Sequence, residues 1–344
     1  MGSMLKWYEE TGDNEDIVIS SRVRLARNLS KYPFPAKLSK EQAGELLKEL
    51  KVRLAKLDKE DGRSYHYVAM DAISDTDKAA MAERHLISDA LIAKTEPSAV
   101  MVSEDEAVSI LLNEEDHLRI QAFAGGMNLK KAWQIADRLD DEINRDFTYA
   151  WHDKLGYLTS FPTNVGTGLR VSFMLHLPAI AGTKRLTGIA SDIGRFGVTI
   201  RGNGIGNLYQ IYNQKTLGQT EQEIMQNLAT IASQLIKQER KIRKKLVQEN
   251  SIGIEDTLLR SYGVLKYCRT LELNEGMNLL SDLQFGISSG LLKLEEPGRK
   301  SIYPLMMGIQ PAHLQRLSAR PLDDKTRDMA RAEYVKEHLP EIIV

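Results

Sequence analysis

The 344-residue chain has a single cysteine, Cys268, which excludes an intrachain disulfide and suits a reducing compartment. It has no excess of charge: 46 Lys plus Arg stand against 47 Asp plus Glu. Nothing in that balance advertises nucleic acid or an anionic membrane as a partner. No apolar run of about 18 residues is present, and the N-terminal stretch lacks the apolar centre of a signal peptide. The expected location is the cytoplasm. There is no GxxxxGK[ST], which excludes the P-loop as a way of holding a nucleotide. No internal repeat or low-complexity tract occurs, and no residue set is assigned as a metal site. The opening Met1-Gly2-Ser3 reads as an expression scar.

What is present is an ordinary globular composition, 42% hydrophobic, long enough for two domains. After a polar lead over 1–15, residues 17–29 alternate in strand fashion, with Arg22 and Arg24 on one face and Val23 and Leu25 on the other. Helical spacing covers 39–58, where Ser39 and Gln42 form a capping pair. Strand character recurs at 65–71, 98–103, 107–112, 157–178 and 196–200, and an amphipathic helix fits 128–145. Residues 220–248 read as one long helix opened by a Thr220/Glu223 capping box. Its charged end, KQERKIRKKL, reads as a solvated last turn that suits the helix dipole. Asn250 to Gly253 marks a domain boundary, and helices are expected at 253–265, 273–285, 311–318 and 324–338.

Two clusters carry chemistry. Arg22 and Arg24 share a strand face, Arg119 follows an acidic stretch, Arg170 follows the turn Gly166-Thr167-Gly168, and Arg201 follows FGVTI. A guanidinium grips phosphoryl oxygens through a planar fork, so such a set can hold a polyphosphate. The same arginines would also fit ordinary surface salt bridges. Asn113-Glu114-Glu115-Asp116-His117 sits at a strand end, where adjacent carboxylates repel unless a metal, cation or arginine compensates. A carboxylate beside a phosphate site could orient a cationic nucleophile or take its proton, and a plain charged turn explains the same letters.

The segments SSRVRLARN, NEEDHLRIQ, PTNVGTGLR and GNLYQIYNQKTLG together resemble the phosphagen (guanidino) kinases, and more closely the McsB-type bacterial protein arginine kinases. ERHLIS at 83–88, LGYLTSFPTNVGTG at 155–168 and RDMARAE at 327–333 favour that branch, and the similarity runs from about Asp16 onward. The small helical domain that opens creatine and arginine kinases is absent, as in the bacterial branch. The resemblance implies an α+β fold: a catalytic domain over 16–250 with a curved antiparallel sheet flanked by helices, then a mostly helical C-terminal domain over 251–344 for dimerisation and phosphoarginine binding. It implies transfer from ATP, with Mg2+, to exposed arginines of protein substrates. Arg22, Arg24, Arg119, Arg170 and Arg201 match the phosphate-binding arginines, and His85 matches a histidine beside the adenine. Glu115 matches the carboxylate that holds and deprotonates the guanidinium, with Asp116 as its catalytic neighbour; Arg327 and Asp328 match an allosteric phosphoarginine motif. Implied partners are the ClpC–ClpP protease, a heat-shock repressor, a small zinc-binding activator and a second copy of the chain.

Three positions depart from the pattern. Phe161 stands where the family has the cysteine of CPTN. Only Asn203-Gly204-Ile205 separate Arg201-Gly202 from Gly206-Asn207, about six residues fewer than a family loop whose glutamate helps clamp the guanidinium. Met174 replaces a nucleotide-contacting histidine. Open readings are an active kinase with a weaker clamp, a pseudokinase or inactivated variant that still binds nucleotide or phosphoarginine, and a chain whose loop at this junction is longer than these letters. A phosphoarginine-reading adaptor is a further class.

Overall fold

Alternation in one strand separates the core from the working face. In β1 (Val18–Arg27) Val23 and Leu25 are fully buried, whereas Arg22 and Arg24 project to the opposite side. The computed structural model describes residues 5–58, 62–202, 204–295 and 301–343; the Met1-Gly2-Ser3 opening and Asn203 lie outside them. Within these residues β1 is central in an eight-stranded antiparallel sheet. The others are β2 (Tyr65–Ala69), β3 (Ala99–Ser103), β4 (Val108–Leu112), β5 (Leu118–Gly125), β6 (Leu169–His176), β7 (Val198–Arg201) and β8 (Leu208–Asn213), in the order β2-β3-β4-β5-β1-β6-β8-β7.

The apolar face is covered by helices with matching stripes. Helix α1 (Lys40–Leu54) contributes Leu46, Leu50 and Leu54 to this core, under the expected Ser39/Gln42 capping box. Helix α2 (Asp75–Glu83) lies away from it, above β3 and β4. Helix α3 (Leu129–Asn144) buries Ala132, Ile135, Ala136, Leu139 and Ile143 against β5 and β1. Helix α4 (Glu221–Tyr267) brings Ile224, Leu228, Ile231 and Leu235, again under the expected capping box. At Asn250 its backbone leaves the helical region (φ −154°, ψ 62°), and the Gly253 N–H donates to Asn250 Oδ1 at 3.1 Å, restarting the helix in a new direction.

Beyond that kink α4 joins α5 (Leu273–Ser288), α6 (Tyr303–Gly308), α7 (Pro311–Leu317) and α8 (Asp324–His338) around a second core that includes Leu265, Leu280, Leu283, Met306, Ile309 and Val335. This core closes on the arginine-bearing face of the sheet. Phe123, the β5 residue opposite Arg22, belongs to it, and Trp7 stacks on Phe123 with ring centroids 4.9 Å apart. No described helix is long and apolar enough to cross a membrane.

Several expectations are corrected. The stretch over 1–15 is no mere lead: Trp7 is 1% exposed and lies between Phe123 and Tyr303. The spacing gave no strand at β5 or β8 and no helix at α2 or at Leu186–Gly194. The charged run at 237–246 is not simply solvated. Glu239 and Arg243 are buried; the carboxylate accepts the Ala179 and Ile180 N–H groups at 3.0 and 2.8 Å and pairs with Arg243 at 2.7 Å. Arg243 also donates to the carbonyls of Asp16 and His176 and to Ser288 Oγ, so the pair stitches three segments to α4. Replacing Arg243 with Ala leaves a buried carboxylate without its counter-charge. The expected cost is about 3–5 kcal/mol of folding stability, read as a lower urea midpoint with an unchanged slope.

Candidate active site

The working face collects five arginines from four strands. Arg24 lies directly opposite Arg170 on β6, Arg119 on β5 faces Ala26, and Arg201 on β7 faces Gln210 on β8. Together with Arg22, Glu115, Phe161, Asn164, Gly168 and Tyr212 these residues line a polar cavity of about 360 Å3. Like charges directly across a sheet are destabilising, and here the local compensation is thin. Among the described residues Arg22 and Arg24 have no ion pair, and the Nε of each is buried without a hydrogen-bond partner. Burial, and then Arg119 close by, push the Arg22 guanidinium down to about 10. Burial and the neighbouring Arg22, Arg119 and Arg170 push Arg24 well below the usual arginine range. Burial also lowers Arg170, which donates to Asn164 Oδ1 at 3.0 Å. A concave site of unmatched, fixed guanidinium groups stabilises a multiply charged anion.

Tyr212 was not singled out by sequence. Its ring lies 5.3 Å from the Arg170 guanidinium and 5.4 Å from that of Arg201, holding two cations against one π system. The signal available was its two-residue spacing from Gln210, which puts both on the face of Arg201. Gly166-Thr167-Gly168 plays a different part from a phosphate cradle. The N–H groups of Gly166 and Thr167 are spent on Tyr157 and Thr216 carbonyls, and a Cβ on Gly166 would sit 2.3 Å from Thr216 O. Gly168, at φ +65°, lets β6 pass close to Ala26, where a Cβ would approach the carbonyl at 2.6 Å. The glycines set strand spacing, and arginines supply the anion contacts.

The acidic stretch is the tight turn between β4 and β5, opened by Asn113 in the left-handed region (φ +56°). Glu114 is buried and Glu115 half-buried; both pair with Arg119, Glu114 at 2.7 Å. Burial, with Glu114 and Asp116 adding repulsion, raises the Glu115 carboxyl above the ordinary carboxylate value despite Arg119 and Arg24. Asp116 does not line the cavity. It is 1% exposed, and its Oδ1 accepts the Asn28 side-chain N–H at 2.6 Å and the Ser160 N–H at 2.7 Å. The expected catalytic neighbour is therefore an anchor beneath Glu115, joining the acidic turn to β1 and to the segment before Phe161. Phe161 is 48% exposed at the cavity wall shared with Glu115.

Through Arg201 and Gln210 the cavity continues into a second space of about 570 Å3 with a more apolar lining, including His85, Met174, Ile205, Leu208, Met277 and Tyr303. His85 thus stands at the end away from Glu115. Burial and Arg22 hold its imidazole down to about 4, so the ring is neutral. The segment 204–208 is docked: the Gly206 N–H donates to Asn278 Oδ1 at 3.0 Å, and Asn207 Nδ2 to Ser281 Oγ at 2.8 Å. Arg327 and Asp328 lie apart from both spaces at the start of α8. Arg327 pairs with Asp324 and donates to Leu322 O, while Asp328 pairs with the buried Arg331 at 2.5 Å.

A polyanion site joined to an apolar base-sized space agrees with the comparisons. Residues 45–242 match the ATP:guanido phosphotransferase C-terminal catalytic domain, and residues 251–343 match the protein-arginine kinase McsB C-terminal domain. The protein-arginine kinase of Desulforamulus reducens is 41% identical over 341 residues, covering 97% of this chain and 95% of that protein. That of Clostridium acetobutylicum is 39% identical over 344 residues, covering 98% and 100%. Among solved structures, lombricine kinase superposes with a TM-score of 0.59 at 22% identity over 71% of each chain. The duplicated taurocyamine kinase of Schistosoma mansoni with transition-state-analog components gives 0.58 at 23%, over 65% of this chain and 33% of that one. These two likenesses concern the fold.

Because the arginines repel one another in the free protein, Arg24→Met is expected to stabilise the ligand-free fold by about 1 kcal/mol. It should also weaken inorganic tripolyphosphate binding about tenfold or more, since a charge-assisted contact is lost. Thermal melts with and without tripolyphosphate read both effects; a variant that melts lower and binds equally would contradict the account.

Proposed function

The chain belongs to the protein-arginine kinase family of ATP:guanido phosphotransferases, and from that membership we propose that its cleft moves the γ-phosphoryl group of ATP onto arginine side chains of proteins. The observation that carries this reading is the meeting, in one cavity, of Glu115 with arginines that have no counter-charge of their own. The triphosphate lies along Arg22, Arg24, Arg170 and Arg201, and the base extends toward His85. Glu115 marks the end where an acceptor guanidinium enters.

A guanidinium has a pKa above about 12 and is a poor nucleophile while protonated. In the proposed step its nitrogen attacks the γ-phosphorus, the bond from phosphorus to the β–γ bridging oxygen breaks, and ADP leaves with that electron pair. Glu115 takes the proton released as the P–N bond forms. The raised carboxyl of Glu115 makes it a stronger base than an ordinary carboxylate. Arg119 holds Glu115 in the free protein; phosphate oxygens compete for that guanidinium, and its departure frees the carboxylate for the acceptor. Most of the acceleration comes from alignment and charge neutralisation. No group of three or more His, Cys, Asp or Glu side chains able to hold a metal occurs among the described residues. Glu115 is the carboxylate of the cavity lining that would face Mg2+ brought in with the nucleotide, and the ion would supply neutralisation of phosphate charge there.

A second reading has its own observations. Phe161 offers the guanidinium at most a cation–π contact, and the docked turn after β7 carries no carboxylate. A member that binds nucleotide or phosphoarginine and transfers phosphate slowly follows from these. Marking of substrates for a Clp protease, regulation of a repressor, activation by a zinc protein, a cytoplasmic setting and a homodimer built on 251–344 belong to the proposal.

Incubation with Mg-ATP and an arginine-containing protein, read as acid-labile phosphate on arginine, tests the function. Glu115→Gln should lower turnover by about 10²–10⁴-fold while leaving Mg-ADP binding near wild type. Turnover of the wild type should rise with pH, since only deprotonated Glu115 accepts the proton, and its acid limb should lie above the ordinary carboxylate value. Phe161→Cys should raise turnover. Nucleotide binding with no phosphoarginine in either protein would leave the second reading standing.

A further inference from the structure

The apolar end of the cleft is made by two parts of the chain that sequence assigns to different domains. Glu83, His85 and Met174 come from the sheet side; Met277, Tyr303 and Gln310 come from beyond the kink at Asn250. Resting on the reading of the cleft as a nucleotide site, we propose that the C-terminal helices are a working wall of the base pocket and that Arg331 is the positioning residue that sets this wall.

Arg331 is 2% exposed. Its Nε donates to Ile309 O at 2.9 Å, and its Nη1 donates to Leu271 O at 2.8 Å and to Asp328 Oδ1 at 2.5 Å. The Leu271 N–H returns a bond to Asp328 O at 3.1 Å. Leu271 stands two residues before Leu273, and Ile309 one residue before Gln310; both of those line the pocket. One buried guanidinium therefore fixes the two separate segments that face the base. The sheet side is tied to the same wall. Glu83, itself in the pocket lining, accepts the N–H groups of Ala312 and His313 at 2.7 and 3.0 Å, and Asp77 pairs with Arg316 at 3.2 Å. The turn after β7 is held by Asn278 and Ser281 of α5.

The consequence is reciprocal. Nucleotide that binds between the two parts strengthens their docking, and whatever disturbs the Asp328–Arg331 pair reaches the pocket through Leu271 and Ile309. The partial occupancy of the site by each half also separates two affinities: a bare polyphosphate needs only the arginines, whereas a nucleotide needs the wall too.

The test measures Mg-ADP and inorganic tripolyphosphate binding by calorimetry on the full chain, for wild type, Asn274→Trp and Arg331→Lys. Asn274 is an exposed rim residue of the pocket, so the indole fills base space without entering the core. Wild type should bind both ligands. Each variant should lose at least about tenfold for Mg-ADP and keep tripolyphosphate unchanged. With a protein acceptor, Arg331→Lys should raise KM for ATP and leave KM for the acceptor alone. Wild type that binds neither ligand sinks the nucleotide reading itself. Wild type that binds both, with Asn274→Trp binding Mg-ADP equally well, overturns the wall. If Arg331→Lys loses both ligands together, Arg331 has only a general structural role, and that half of the proposal is overturned.

Discussion

The structure is organised around a set of guanidinium groups that repel one another across neighbouring strands. Arg24 faces Arg170 directly, Arg22 lies two residues along, and Arg119 comes in from the next strand. Such an arrangement opposes folding unless the rest of the sheet is held firmly. The opposite face supplies the hold: Val23, Leu25, Val171, Phe173 and Ile211 are fully or nearly fully buried beneath α3 and α4. Because side chains alternate, the same strands that carry the repulsion carry the core that withstands it. The unmatched charge is then a standing preference for a polyanion, present before any ligand arrives.

Neutral groups refine this preference more than carboxylates do. Tyr212 spreads Arg170 and Arg201 over one ring, Asn164 orients Arg170, and glycines bring β6 close to β1. Glu115, the carboxylate of the cavity lining, and the buried Glu114 both fall on Arg119. Among the described residues that leaves Arg119 with carboxylate partners and Arg22, Arg24, Arg170 and Arg201 with none. Asp116, lacking access to the cavity, keeps the acidic turn registered on Asn28 and Ser160. Under the proposed function a carboxylate that receives a proton benefits from a fixed backbone, and Asp116 helps to fix it.

Much of this was legible in the letters, for identifiable reasons. Arg22 and Arg24 declare their shared face by two-residue spacing, and capping boxes at Ser39 and Thr220 declare helix starts. Strand β5 was missed although Leu118 and Ile120 alternate with Arg119 and Gln121; beyond them Phe123 puts an apolar ring on the arginine-bearing face between Ala122 and Ala124, and the alternation loses contrast there. Strand β8 was hidden by its aromatic and amide residues in the same way. Glu239 and Arg243 were misread because a buried ion pair at four-residue spacing looks identical to a solvated one. Trp7 and Tyr303 needed tertiary information: each contributes through contacts nearly 300 residues apart in the chain, which no local pattern encodes.

The departures at the acceptor end can be weighed by what surrounds them. A mobile loop that brings a second carboxylate gains by excluding water as it closes. Here the corresponding turn is tied by its backbone and by Asn207 to α5, and Ile205 packs into the C-terminal core. The attached turn bounds the more apolar space, since Gly202 and Ile205 both line it. Phe161 stands half exposed at the other end, where an acceptor on a protein surface must approach without burying itself in a closed cavity. Under the proposed function the molecule is preorganised for the nucleotide and open toward the acceptor. On that reading, affinity for the nucleotide rests on the fixed arginines and the proposed wall, whereas orientation of the acceptor falls on Glu115 with the Phe161 ring in the same cavity lining.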